Sequence, residues 1–530
     1  MQQLTNLLSF ITYPIRFRLF VAAFAVALVS CGGEGSTPTH TIGGTVSGLT
    51  SGSLLLKNNN GDDLTINANS TSFTFATALV SSAGYAVTVA TQPSGLTCAV
   101  TNGSGTIASA NVTNVGVACI PPWIGTKQLG VAGQLTSGYS VATDASGNVY
   151  VAGITYGGLD GNTLAGTNDF FVTKYNSSGV KQYTRQLGVA GQNTYGYSVA
   201  TDTSGNVYVA GYTKGGLDLN TLTGTRDFFV TKYDSSGVKQ YTRQLGVAGQ
   251  NTYGQSVATD ASGNVYVAGY TYGGLDGNTL TGTNDFFVTK YNSSGVKQYT
   301  QQLGVAGNVT LGNSVATDAN GNVYVAGYTF GGLDGNTLTG TRDSFVTKYD
   351  SSGVKQYTRQ MGVAGQNTFG WSVATDASGN VYVAGYTLGG LDGNTLTGTN
   401  DFFVTKYDSS GVKQYTRQLG VAGKVTAGFS VATDASGNVY VAGYTFGGLD
   451  GNTLTGTYDF FVIKYNSSGV KQYTRQLGVA GKNTSGWSVA TDPNGNVYVA
   501  GDTTGGLDGN TLTGTRDFFV TKYNSSGVKQ

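Results

Sequence analysis

The chain has 530 residues, of which 83 are glycine, 39% are hydrophobic and only 11% are charged. That composition suits a packed body and excludes a highly charged disordered chain. With a net charge of +1 there is no electrostatic footprint for nucleic acid.

The first 31 residues read as an export signal. Arg16 and Arg18 precede an apolar run, Leu19 to Val29, too short for a comfortable membrane span but of signal-peptide length. The run ends in Leu28-Val29-Ser30-Cys31 followed by Gly32-Gly33. This resembles the lipobox of bacterial lipoproteins. The resemblance implies lipidation of Cys31, a membrane anchor at the N-terminus and a place in the bacterial cell envelope. Gly rather than Asp after the cysteine implies the outer membrane. Residues 32–40 form a Gly/Ser/Thr/Pro linker.

Residues 41–120 carry short alternating runs, such as Phe73-Thr74-Phe75 and Tyr85 to Val89, separated by turn signals such as Asn58 to Asp62. The spacing predicts a small β-sandwich-like domain. Cys98 and Cys119 fall inside it, and an exported context favours a disulfide between them.

Residues 121–530 are dominated by a 58-residue unit. Its QLG or QMG phrase recurs at Gln128, Gln186, Gln244, Gln302, Gln360, Gln418 and Gln476 without insertion. A fixed period signals a repeat architecture. Within the second unit, Ser198–Asp202, Asn206–Thr213, Asp227–Asp234 and Val238–Gly246 read as four strands joined by Gly-containing turns and one long loop. Four antiparallel strands repeated radially predict an all-β fold, a seven-bladed β-propeller. The last unit stops at Gln530, while Gly125–Gly130 is a lone fourth-strand equivalent ahead of the first. These two pieces are expected to meet in blade 7 and close the ring.

The phrases D-x-x-G-N-V-Y-V-A-G-x-T, D-F-F-V-T-K-Y and S-G-V-K-Q-Y-T-R-Q-L-G resemble the bacterial SBBP β-propeller repeat and are similar to the NHL repeat. The resemblance implies fold and export but no single activity. One departure is Tyr, as at Tyr183, where related repeats often carry Trp. Trp123 lies near the matching segment, two positions out of register.

The array contains no His, Glu or Cys, since His40 and Glu34 both lie in the linker. A Ser-His-Asp set is therefore impossible there, and no catalytic residues are assigned. The Asp before each GN turn (Asp144 and its equivalents) reads as a turn former. Asp160, Asn162 and Asp169 are weak candidates for a Ca²⁺ cage of oxygen ligands; otherwise no cofactor is expected. Lys174 and Arg185, with their equivalents, read as solvated heads on buried stems.

The copies differ at two aromatic-rich places. One precedes the first strand: Tyr139, Tyr197, Gln255, Asn313, Trp371, Phe429 and Trp487. The other opens the long loop: Tyr156, Lys214, Tyr272, Phe330, Leu388, Phe446 and Thr504. Both are expected in loops on one face, near the mouth of the central channel. The aromatic members read as ligand-binding candidates. The resulting functional reading is a non-catalytic binding module for a protein or glycan ligand at the cell envelope. A structural scaffold and an Asp/metal-dependent lyase stand as alternatives.

Overall fold

The computed structural model describes residues 37–530. The export signal, Cys31 and most of the linker lie outside the described residues. Among the described residues no helix is long and apolar enough to cross a membrane. Two compact units divide between Cys119 and Ile120.

The first unit holds two four-stranded sheets. One orders Ser72–Thr74, Ile42–Ser47, Val112–Ile120 and Thr97–Thr101, with the middle two strands parallel. The other orders Asp62–Asn67, Ser53–Asn58, Gly84–Thr91 and Ser104–Thr106. Ile42, Phe73 and Val115 from the first sheet share one core with Leu54, Leu56 and Val87 from the second. Cys98 and Cys119 are disulfide-bonded on neighbouring strands. The 21-residue separation implies a stabilisation of roughly 3 kcal/mol from lost unfolded-state entropy.

The second unit is the seven-bladed propeller. Blade 1 runs outward as Thr136–Thr143, Val149–Thr155, Asp169–Tyr175 and Lys181–Leu187, all antiparallel. The pattern repeats, and the first strand of each blade begins four residues earlier than the sequence suggests: Thr194–Thr201 in blade 2. The middle strands are buried on both faces because each blade is sandwiched by its neighbours. That explains the unbroken Phe170-Phe171-Val172 run. Phe rings stack across six of the seven seams, as in Phe170–Phe229 at 5.0 Å. The exception follows from Ser344 in place of the first Phe of blade 4.

The ring closes as the two ends of the array predict. Lys127–Leu129 pairs with Phe518–Val520 as the fourth strand of blade 7, and the Gly125 N–H donates to the Gln530 carbonyl at 2.9 Å. Closure is visible again at the axis. Each inner-strand Val N–H donates to a serine of the neighbouring blade: Val141 to Ser488 Oγ, Val199 to Ser140 Oγ, and so on through Val489 to Ser430 Oγ. A second circle runs from Thr143 Oγ1 to the Thr491 carbonyl and from Thr201 Oγ1 to the Thr143 carbonyl, likewise through seven steps. Each inner edge is thereby tied to its neighbour at two points.

Candidate functional site

The inner strands carry one of the two places where the copies differ. In each, the pairing register slips at one place: Gly138 opposes Gly153, yet Ser140 opposes Ala152. Tyr139 is the extra residue of a β-bulge. The same slip occurs at Tyr197, Gln255, Asn313, Trp371, Phe429 and Trp487. A bulge breaks the two-residue alternation and lets consecutive side chains face one side. The variable residue and the serine after it therefore both line the central channel. This corrects the expectation that the variable position sits in a loop: it is on the wall of the channel, inside a strand.

The cavity at this end is about 270 Å³ and is lined by those seven residues and six of the seven serines. Five of the seven side chains are aromatic and fall on consecutive blades. Their centroids step from Tyr197 to Tyr139 (5.4 Å), to Trp487 (6.5 Å), to Phe429 (4.9 Å) and to Trp371 (5.6 Å). Gln255 and Asn313 complete the circle, and Asn313 Nδ2 donates to the Gly370 carbonyl (2.9 Å). Every lining residue is neutral. Burial pushes the Tyr139 and Tyr197 hydroxyls well above their ordinary pKa, so they remain protonated donors.

Tyr156, Tyr272, Phe330 and Phe446 do not line this cavity. They sit just past the second strand, where Tyr272 lies 6.4 Å from Tyr253 and Phe446 lies 5.0 Å from Tyr458. Their expected place at the mouth is thus corrected to a position further out. Among these and the channel rings stand Tyr212, Tyr270, Tyr328, Tyr386 and Tyr444, which sequence reasoning read only as good strand formers.

Blade 7 departs from that series, carrying Asp502 where five copies carry Tyr. Asp502 is 3% exposed. It accepts a hydrogen bond from Trp487 Nε1 (2.9 Å) and faces Arg516 Nη1 at 3.5 Å. The carboxylate thereby fixes the orientation of one channel indole. The sequence signal was available in VAGDT against VAGYT. Burial raises the Asp502 pKa above 3.8, with Arg516, Trp487 and Ser137 opposing the rise. The native state then keeps a proton over a window in which the unfolded chain has lost it. Stability from this group is full below pH 3.8 and falls as pH climbs through the raised value. Asp502→Asn removes that fall. Its melting temperature minus that of the wild type should increase between pH 4 and pH 8; a constant difference in differential scanning calorimetry contradicts the assignment.

The calcium candidates are taken by internal partners. Asp169 is fully buried, and its carboxylate accepts the amides of Ala165 and Gly166 and the side chain of Gln186. Asp160 sits at φ 56° in a 3₁₀ turn and pairs with Lys181. Asn162 Nδ2 donates to the carbonyls of Leu159 and Thr184. Asp169 is thus saturated by N–H donors and Asp160 neutralised by an ammonium, which does not make a cation cage. Among the described residues no group of three or more metal-ligating side chains of the His, Cys, Asp or Glu type converges. Asp144 is the turn former its context implies: it accepts the amides of Ser146 and Asn148, the Asn148 side chain and the Tyr150 hydroxyl. Lys174 and Arg185 are more than solvated heads, because they tie blades together. Lys174 Nζ donates to the Ser235 carbonyl, and Arg185 Nε to the Gly237 carbonyl.

Comparison with known proteins follows this geometry. The family described as the SBBP β-propeller repeat matches residues 124–160, 182–218, 240–276, 298–334, 356–392, 414–450 and 472–508. The array belongs to the SBBP repeat family. The chain is also 27% identical over 439 residues to the regulatory protein FlaEY of Caulobacter vibrioides, covering 73% of this chain and 44% of that one. It thus spans less than half the length of that curated relative. Among solved structures, the SBBP array is similar to the WD40 propeller domain of Doa1, with 12% identity, a TM-score of 0.40 and coverage of 74% and 96%. It is likewise similar to an ulvan lyase of a new polysaccharide lyase family, with 14% identity, a TM-score of 0.41 and coverage of 76% and 97%.

Proposed function

We propose that this SBBP protein is a non-catalytic binding module whose ligand, a protein segment or a glycan, docks at the aromatic end of the propeller channel. One observation carries the reading. The repeats hold their backbone and core residues nearly constant, and one of the places where they diverge lines a cavity, five of its seven side chains being large aromatics. Partly exposed aromatic rings gathered at a concavity are the usual anchors of recognition. The array's lack of His, Glu and Cys supports the absence of catalysis. The lipobox-like Leu28–Cys31 supports lipid anchoring through Cys31 at the bacterial cell envelope, in the outer membrane, and similarity to a regulatory protein accords with an interaction role.

The test is a combined glycan and peptide array probed with the full chain and with a Trp371→Ala, Phe429→Ala, Trp487→Ala variant. Each ring is expected to contribute about 1–2 kcal/mol, so the triple variant should lose roughly 100-fold or more in affinity. Hits retained by the variant, or a blank array, would leave the envelope scaffold as the better account.

A further inference from the structure

The cavity combines two chemistries. One side is the five-ring arc already described. The other is polar: the amides of Gln255 and Asn313, and below them the circle of serines. Each of these serine oxygens accepts a backbone N–H from the next blade, as Ser256 Oγ does from Val315 at 3.1 Å. Among the described residues their hydroxyl protons donate to no protein acceptor, and the Gln255 amide has no protein partner. The cavity therefore offers a ring of free O–H donors, a free amide and aromatic faces, with no charged side chain on its wall.

These features discriminate between guests. A charged guest would be stripped of water with no counter-charge to meet it, which is costly. A wholly apolar guest would bury the serine hydroxyls and the Gln255 amide without partners, at about 1–3 kcal/mol each. A guest with one apolar C–H face and an edge of hydroxyls meets both walls at once. Its polarised C–H bonds lie on the electron-rich ring faces, and its hydroxyls exchange hydrogen bonds with Ser and Gln. The volume of about 270 Å³ is at the small end of ligand pockets and suits one or two sugar rings entering end-on. We propose that the channel takes the terminal residue of a neutral glycan, a refinement that rests on the binding-module reading above.

The protein carries its own reporter, since two of its three tryptophans, Trp371 and Trp487, line the cavity and the third, Trp123, is buried away from it. Indole emission and acrylamide quenching of the full chain should be followed during titration with methyl glycosides of glucose, mannose, galactose, fucose and N-acetylglucosamine. Methyl glucuronide and the non-fluorescent N-acetyl-leucinamide serve as charged and apolar comparators. The expected result is a saturable emission change and protection from quenching with at least one neutral glycoside. Binding should be at least tenfold weaker with methyl glucuronide, and at least tenfold weaker in a Gln255→Ala variant that melts like the wild type. Equal binding of the uronide, or an unaffected Gln255→Ala variant, overturns the proposal. If only N-acetyl-leucinamide binds, the sugar falls while the binding-module reading stands. If nothing in the panel perturbs Trp371 and Trp487, the sugar falls, and the binding-module reading is decided separately by the glycan and peptide array.

Discussion

Replacing Trp123 by alanine is expected to destabilise the propeller by about 3–5 kcal/mol, the range for deleting a fully packed aromatic side chain. Trp123 is 3% exposed. Its ring packs 5.5 Å from Tyr498 of blade 7 and 6.0 Å from Tyr175 of blade 1, and its Nε1 donates to the Gly125 carbonyl. It is displaced by two residues from Tyr183 and its equivalents, yet its ring occupies their place. Trp123 lies against Gly179 as Tyr183 lies against Gly237. The sequence offset is absorbed because this strand reaches blade 7 from outside the array. Among the described residues blade 7 is the only blade not built from one continuous stretch of chain, since Lys127–Leu129 and Phe518–Val520 come from opposite ends of the array. Tyr299→Ala, at the seam between blades 3 and 4, should cost a similar amount but lies between two blades that are each one continuous stretch of chain. Hydrogen exchange separates the two. Trp123→Ala should raise exchange first in residues 484–530 and 127–143, whereas equal loss of protection around the whole ring would argue against a weak closing blade.

Much of this was legible in the chain because a repeat multiplies weak signals. One NVYVAGYT segment is only a strand candidate, but seven at a constant spacing fix the blade count, the strand order and the closing strand. The turn role of Asp144 was readable for the same reason. The channel wall was not, because reading strands by alternation started the first strand at Ser140 and left Tyr139 outside it. A bulge inserts one residue and reverses the inside–outside parity before it, so Thr136 to Gly138 looked out of phase with Ser140 to Thr143. Asp502 was overlooked for a different reason. It sits within the most regular phrase of the repeat, where one polar substitution in seven copies looks like drift until Trp487 and Arg516 are seen beside it.

The bulge also sets the second large effect. Gly385, in the second strand of blade 5, faces the slip at Gly370/Ser372, and a Cβ there would run into the carbonyl oxygen of Phe369. The obstacle is backbone held in the ladder, so no side-chain rotation relieves it. Gly385→Ala should therefore cost about 3 kcal/mol or more, at the upper end of overpacking substitutions. Gly423→Ala is the control. Gly423 has φ +64°, and a Cβ there meets nothing within 4 Å, so the cost should be about 1 kcal/mol, from backbone conformation alone. If Gly385→Ala folds, straightening the bulge would turn Trp371 away from the channel and change its emission with no residue of the cavity altered. Chemical denaturation checks the stability difference and Trp371 fluorescence checks the geometry. Equal costs at Gly385 and Gly423 would mean that the inner strands bend freely, and the aromatic arc would then lack the rigid frame that a preformed binding site requires.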